Sequence, residues 1–430
     1  MKEKEPISIA NGVEGIYIDN SRFNTTLISF NFYLPLKAED ICANALLTYV
    51  LSTCSGKYGG FKEMNRRLNM LYGADVAVSA VPVGDTQLLR FVITVINDRF
   101  TPDNEAVVEK ACDYIMSLIF EPRVKENSFY EDDVNREKRK MLEDIEAELN
   151  EKRTFARKRL KEEMFENDPF GIGKLGTVKE AKKITGTLLY KAWENMLSSA
   201  FVRIHVIGET LPEGLFGRVG EKFSRISRDN IFDYKKISNV KERKNVKRVT
   251  ECMDVLQGKL VMGFSSKIYG NDEQSVSLMV ATDIFGGGPY SKLFSVVREK
   301  LSLCYYCSAS SVRNKGFVMV DSGLESENAE KAQTEILSQL EKVQNGDFSD
   351  FEFDSSIKSI VQSLNSYQDS LNALDVWYAL KIHNNKLLSP GDVVKLVEKV
   401  THEDVKNAAQ GIKLNTVYLL LPEVTQSENR

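Results

Sequence analysis

The order of apolar-periodic elements in the first half of this chain recurs in the second half, so whatever unit the sequence folds into, it must fold into twice. Residues 26–35 read TLISFNFYLP, an alternation that predicts a half-buried strand. A helix follows with Ala43, Leu46, Leu47, Val50 and Leu51 on one face, ending at Gly56. A second helix over 62–71 and strands over 74–81 and 88–96 complete the set. In the second half, 257–264 (QGKLVMGF) predicts a strand and 274–285 a helix ending at Gly286. A further helix over 292–301 and strands over 304–311 and 316–321 keep the same order. Gly56 and Gly286 stand 230 positions apart. The distal parts repeat as well. An apolar-periodic helix over 106–120 is echoed by 329–343, and long charged helices open near Phe129 and Phe351. The segments Ile184-Thr-Gly-Thr-Leu188 and Val400-Thr-His-Glu-Asp404 both open helices, with Thr401 and Asp404 spaced as a capping box. Strands over 202–207 and 416–421 close the two halves.

The expected fold class is therefore α+β: two similar domains, each a mixed, mainly antiparallel sheet with helices packed on one face. The limits read from the pattern are 1–226, a linker over 227–248, and 249–430. The linker carries KKISNVKERKNVKR (235–248). A nucleic-acid surface would interleave aromatics with these cations, and only Tyr234 is nearby, so a solvated linker is the reading. The tail after Pro422 is polar and expected to be loose.

Composition narrows the function classes. A net charge of −4 over 430 residues implies neither a polyanion nor an acidic membrane surface as partner. No apolar run reaches the roughly 18 residues of a membrane span, and Met1-Lys-Glu-Lys-Glu-Pro begins no secretory signal. Six scattered cysteines (42, 54, 112, 252, 304, 307) in a chain of this length point to reduced thiols and a cytoplasmic location.

One stretch carries most of the functional information: Gly286-Gly-Gly-Pro-Tyr-Ser-Lys-Leu-Phe-Ser-Val-Val-Arg-Glu-Lys-Leu-Ser-Leu-Cys-Tyr305. Glycines, then Ser-x-Leu-Phe, then Arg-Glu-Lys, then Leu-x-Tyr closely resemble the second-domain signature of the pitrilysin/insulinase peptidases, in the branch of mitochondrial processing peptidase. Asp168-Pro-Phe-Gly171, Gly176 and Gly208-Glu209 extend the resemblance over nearly the whole chain. It implies a LuxS/processing-peptidase-like metallohydrolase fold.

Active members of that family hold zinc with an H-x-x-E-H helix in the first domain and a distant glutamate. The chemistry needs two neutral imidazoles one helical turn apart, a carboxylate ligand and a glutamate base. The matching helix here is Ala45-Leu-Leu-Thr-Tyr-Val-Leu-Ser-Thr53, with no histidine and no acid. The third-ligand slot lies in Val134-Asn-Arg-Glu-Lys-Arg-Lys-Met-Leu142; the pattern selects Asn135, with Glu137 two positions on leaving the register open. The three histidines, His205, His383 and His402, are not spaced to pair. No metal or other cofactor is expected.

The resemblance gives Arg298 and Tyr305 a role: in the family this pair reaches over the zinc and hydrogen-bonds substrate near the scissile carbonyl, and a metal-free subunit can supply it to its partner. A guanidinium and a phenol are fixed donors suited to charge growing on oxygen. Tyr306, next along a strand, would face the opposite way. Gly286, Gly287 and Gly288 lack the Gly-Lys-Ser/Thr of a nucleotide loop and suggest a turn that touches peptide. Cys304-x-x-Cys307 falls on an expected strand, which would send its thiols to opposite faces and disfavour zinc or redox use. The strand at 27–34 and its repeat offer an edge for peptide β-addition.

The reading is a catalytically inactive subunit of a heteromeric zinc peptidase, completing the active site and peptide chamber of an H-x-x-E-H-bearing insulinase-family partner and binding peptide substrate. A structural assembly subunit and a stand-alone peptide-binding protein, as a homodimer if no companion exists, are the alternatives. No nucleic acid and no membrane are expected as partners.

Overall fold

A computed structural model describes residues 5–236, 238–269, 274–383 and 387–423; all but the first residue of the polar tail lies outside them. The chain forms two compact units. Unit one comprises residues 1–146, 172–236 and 368–382, and unit two comprises 147–171, 237–367 and 383–430.

Unit one is built on strands β1 (Ile7–Ala10), β2 (Val13–Asp19), β3 (Thr25–Pro35), β4 (Asp75–Val83), β5 (Thr86–Ile96) and β6 (Phe201–Gly208). They form a sheet in the order β1-β2-β6-β3-β5-β4. Unit two is built on β7 (Lys247–Met253), β8 (Gly258–Ser265), β9 (Tyr306–Val312), β10 (Phe317–Leu324) and β11 (Lys413–Pro422). Its order is β9-β10-β8-β11-β7. Read from the other edge, this is β7-β11-β8-β10-β9, the order β2-β6-β3-β5-β4 of unit one. The single parallel pair falls in the same place, β2 with β6 and β7 with β11. The repeat is thus real at the level of strand order and direction. The capping box at Thr401 and Asp404 also forms.

Three expectations need correction. First, β3 and β8 are not edges. Each is hydrogen-bonded on both sides, β3 to β5 and β6, and β8 to β10 and β11. Second, β3 is buried on both faces. Phe30, Phe32 and Leu34 face the main helical layer, which includes the helices Ile41–Thr53 and Val107–Phe120. Ser29 and Tyr33, on the other face, bond the helix Leu371–Leu380, through Asp375 at 2.5 Å and the Ala379 carbonyl at 3.0 Å. The helices therefore do not keep to one side. Third, residues 235–248 are not all linker: Lys247 and Arg248 open β7.

The helix on the second face comes from the far half of the sequence. Unit two does the same, taking the helix Lys152–Met164 from the first half, so the units exchange segments that the limits 1–226 and 249–430 keep apart. Ala156, Leu160 and Met164 of that helix repeat at intervals of four, bury completely or nearly so, and lie on β8. Gly263 permits the approach; a Cβ there would stand 2.7 Å from Met164 Sδ.

Each exchanged helix is pinned by an ion pair at an equivalent rung, with the charges reversed. In unit one Arg90 lies opposite Asn31 on the sheet and pairs with Asp375 on the helix. His205 Nδ1 is 2.7 Å from the same carboxylate. In unit two Asp321, opposite Val261, accepts Arg153 of the helix in a fork at 2.8 and 3.0 Å. Burial acts to raise the Asp375 pKa, but His205, Arg90 and Ser29 outweigh it and hold the carboxyl below its ordinary value. The stability this confers is present above the ordinary carboxylate range and lost as pH falls through the lowered pKa.

Asp375→Ala leaves Arg90 without its counter-charge and His205 without its carboxylate partner, and is expected to cost about 3–5 kcal/mol in urea denaturation. Asp321→Ala is expected to cost less in the same assay, because the Arg153 side chain is 43% exposed and water can take over.

Candidate functional site

The helix Ile41–Thr53 and the helix Glu131–Asn150 hold, in unit one, the segments that match the zinc-binding pattern. Asn135 is exposed on the second helix, whereas Glu137 is 1% exposed. The inward position is therefore Glu137, and the register that selects Asn135 is corrected: the helix turns Asn135 to solvent, where Lys138 reaches it at 3.4 Å.

Glu137 is already neutralised. Arg136 Nε donates to it at 2.8 Å and Lys140 Nζ at 2.9 Å. Arg136 Nη1 also donates to buried Asp133 at 2.8 Å, and Arg123 reaches Asp133 at 3.2 Å. Burial acts against the Arg136 charge, but the hydrogen bonds to Glu137 and Asp133 raise its pKa. On the facing helix Thr53 Oγ1 accepts from Arg136 at 3.4 Å and the Tyr49 hydroxyl donates to Asp144 at 2.6 Å. These side chains do not fit zinc: no imidazole is present, and both inward carboxylates are committed to cations. Among the described residues, no group of three or more His, Cys, Asp or Glu side chains could hold a metal ion.

Unit two holds the second candidate site. The helix Gln274–Gly286 ends in the glycine turn, and residues Leu293–Lys300 follow as a π-helix where the sequence predicts an α-helix. The wider turn is visible in the Leu301 N–H, which donates to the Val296 carbonyl five residues back at 2.9 Å. Ser302 adopts a left-handed conformation (φ 50°) and turns the chain toward β9. Tyr305 then donates its N–H to the Gly323 carbonyl at 2.8 Å.

This path brings Arg298 and Tyr305 to one pocket of about 350 Å³, lined also by Glu299, Cys304, Glu325 and Asn328. Arg298 lies over the Phe294 ring at 4.5 Å, with its Nε 3.5 Å from Glu299. The Tyr305 hydroxyl donates to Glu325, which raises the phenol pKa. Tyr306 is separate: its ring packs on Gly323 and under the Arg153 guanidinium at 4.3 Å. Sequence reasoning missed Glu325 and Asn328, since they follow β10 and only the sheet register brings them to Tyr305.

The three glycines have a packing explanation within the unit. A Cβ at Gly286 would stand 2.6 Å from the Ala309 nitrogen, one at Gly287 2.1 Å from Asp283 Oδ2, and one at Gly288 2.7 Å from the Tyr290 ring. Asp283 in turn accepts from the Tyr290 hydroxyl at 2.5 Å.

Comparison with known proteins shows what the chain is similar to. Residues 183–360 match the peptidase M16 inactive domain. The matched M16 segment contains the glycine turn and the whole Arg298–Tyr305 pocket. Over 415 residues the chain is 27% identical to the probable inactive metalloprotease YmfF of Bacillus subtilis strain 168, covering 95% of this chain and 96% of that one. A conserved protein from Enterococcus faecalis V583 shares the fold with a TM-score of 0.89 at 24% identity, over 98% of this chain and 99% of that one. A peptidase M16 inactive domain from Pseudomonas fluorescens shares it with a TM-score of 0.80 at 16% identity, over the full length of both. The resemblance to the pitrilysin/insulinase peptidases therefore holds, on the side that carries no zinc motif. The chain is thus similar, over nearly its whole length, to inactive M16 proteins.

Two outcomes follow from the geometry. Purified chain equilibrated with zinc and then desalted is expected to retain no stoichiometric zinc by elemental analysis. Gly287→Ala is expected to lower stability by about 1–3 kcal/mol in a thermal melt, because the new methyl must displace Asp283 from Tyr290.

Proposed function

We propose that this chain is the metal-free subunit of a two-chain zinc peptidase, lending Arg298 and Tyr305 to an H-x-x-E-H-bearing M16 partner that holds the peptide substrate between them. The observation that carries the reading is the contrast between two slots. The one that would hold zinc is filled by ion pairs, while the pocket of Arg298 and Tyr305 is kept open. A chain without zinc has no use of its own for donors aimed at a scissile carbonyl; a partner's zinc would give them one. No helix among the described residues is long and apolar enough to cross a membrane, and the cytoplasm is the compartment that the scattered free thiols favour.

In this mechanism Arg298 and Tyr305 act by hydrogen bonding as negative charge develops on the carbonyl oxygen. Tyr305 must first exchange its bond to Glu325 for one to substrate. That bond favours a second reading, an assembly or peptide-binding subunit in which Tyr305 only fastens Glu325. The glycine turn would touch peptide in the first reading, in addition to its packing role.

Turnover by the reconstituted pair separates the two. Tyr305→Phe is expected to lower turnover on the order of 10²–10³-fold, and Arg298→Ala at least as much, with complex formation unchanged by light scattering. If both variants assemble and cleave within about twofold of the parent, the catalytic reading falls and the assembly reading replaces it. Failure of the parent to associate with any zinc-bearing companion removes the pairing itself; a pair of this kind buries roughly 2,000 Å² or more.

A further inference from the structure

The helix Lys152–Met164 carries two stripes of four-residue spacing. Ala156, Leu160 and Met164 form the buried one. Arg153, Arg157 and Lys161 form the other, a row of cations on successive turns. Lys259 of β8 shares the sheet face that the helix covers, since it alternates with Val261 and Gly263. Its Nζ lies 5.8 Å from the centre of the Tyr306 ring, and the Arg153 guanidinium lies 4.3 Å from the same ring.

One carboxylate serves this group. Asp321 accepts the Arg153 fork at 2.8 and 3.0 Å and lies 3.6 Å from Arg157 Nε. Glu151 is occupied by the backbone N–H groups of Arg153 and Thr154 at the helix start, and Glu162 by Arg159. Among the described residues, neither Lys161 nor Lys259 has a carboxylate at ion-pair distance. Burial lowers the pKa of both lysines, and the charges of Arg157 and Arg153 push the same way, against more distant carboxylates. The cations are open to solvent: the Arg153 and Arg157 side chains are 43% and 42% exposed. A guanidinium has three nitrogens that donate, and Arg153 uses Nε and Nη2 on Asp321 and Ser308, which leaves Nη1 for a ligand. A chain of net charge −4 thus gathers on one face a positive charge that its own acids do not balance.

We propose that this face of unit two binds the carboxylates of an extended acidic peptide, one with Asp or Glu at alternate positions. Cations four residues apart on a helix stand about 6 Å apart along its axis. Alternate side chains of an extended chain share one face at intervals of roughly 6.6 Å. The two spacings match closely enough for successive carboxylates to meet Arg153, Arg157 and Lys161 in turn. A single-stranded nucleic acid would need an aromatic face on which to stack, and the Tyr306 ring is already taken by Gly323, Arg153 and Lys259. The cluster begins one residue from Tyr305. Its bearing on cleavage rests on the reading of Arg298 and Tyr305 as donors to a scissile carbonyl: a substrate held there would carry its acidic residues beside that bond. Binding by the chain alone does not depend on that reading.

The test is fluorescence anisotropy of the full chain with a labelled peptide of Glu-Ser repeats and with its Gln-Ser counterpart. The Glu peptide is expected to bind more tightly on the order of tenfold, the scale of one charge-assisted hydrogen bond. The difference is expected to shrink as salt rises, because exposed charges are screened over about 8 Å at physiological strength. Arg157→Gln with Lys259→Gln is expected to abolish the preference; Arg153 stays in place because it pins the helix. Arg157→Lys with Lys259→Arg keeps both charges and is expected to retain it. Lys331→Gln with Lys358→Gln removes the same net charge from two exposed sites on other helices and is expected to bind like the parent. Equal binding of the two peptides by the parent, or an equal loss in the Lys331 and Lys358 variant, overturns the proposal. Displacement of the peptide by an oligonucleotide of equal charge and concentration overturns the choice of peptide as occupant. In the reconstituted pair, kcat/KM is expected to favour Glu over Gln beside the scissile bond by a similar factor, and the Arg157 and Lys259 variant to lose that preference. A chain that binds the acidic peptide but forms no active pair keeps this surface and loses the peptidase reading. An active pair whose chain shows no acidic preference in binding or cleavage keeps the peptidase reading and loses this surface.

Discussion

A charge removed from water must meet an opposite charge, and in this chain that requirement fastens an element from one half of the sequence onto the sheet of the other. Arg90 on β5 takes Asp375 from a helix that follows the second unit's strands β7 to β10. Asp321 on β10 takes Arg153 from a helix that precedes all of those strands. The two pairs occupy matching rungs with the signs exchanged, so each strand position accepts only its own helix: Arg153 against Arg90, or Asp375 against Asp321, would bury like charges together. The inversion tells each sheet which helix covers it. Because the covering helices come from the opposite half of the chain, neither unit is continuous in sequence.

The same principle accounts for the difference between the two slots. In unit one, buried Asp133 and Glu137 would attract a cation of some kind, and Arg136, Lys140 and Arg123 supply it covalently tethered to the chain. A tethered guanidinium needs no imidazoles to hold it, so helix Ile41–Thr53 can carry Leu46, Leu47, Val50 and Leu51 as core. In unit two the pocket is shaped by backbone rather than by paired charge. The π-helical turn and the left-handed Ser302 move the chain off the helical path, leaving Arg298 and Tyr305 on a common rim.

Most of the strands, the two-fold repeat and the placing of Arg298 and Tyr305 after the glycine turn were legible in the sequence. Each rests on short-range pattern, on residue identity or on an ordered motif. Strands β1, β2 and most of β7 were not. Ile7–Ala10 is short, and Lys247–Met253 alternates only weakly within a charged run that reads as linker. The register of the helix Glu131–Asn150 was left open because Asn135 and Glu137 are two positions apart; burial of Glu137 decides it.

The sequence by itself determined that this is a doubled α+β chain whose segment 45–53 lacks the imidazoles of an H-x-x-E-H helix, because residue identity is not altered by folding. Tertiary structure alone decided which helix lies on which sheet, that Glu137 is met by cations, and that Tyr305 meets Glu325. Those outcomes depend on long-range pairing, on the electrostatics of buried groups and on a π-helical turn. None of the three has a local signature, since each is a property of residues brought together only when the sheets have formed.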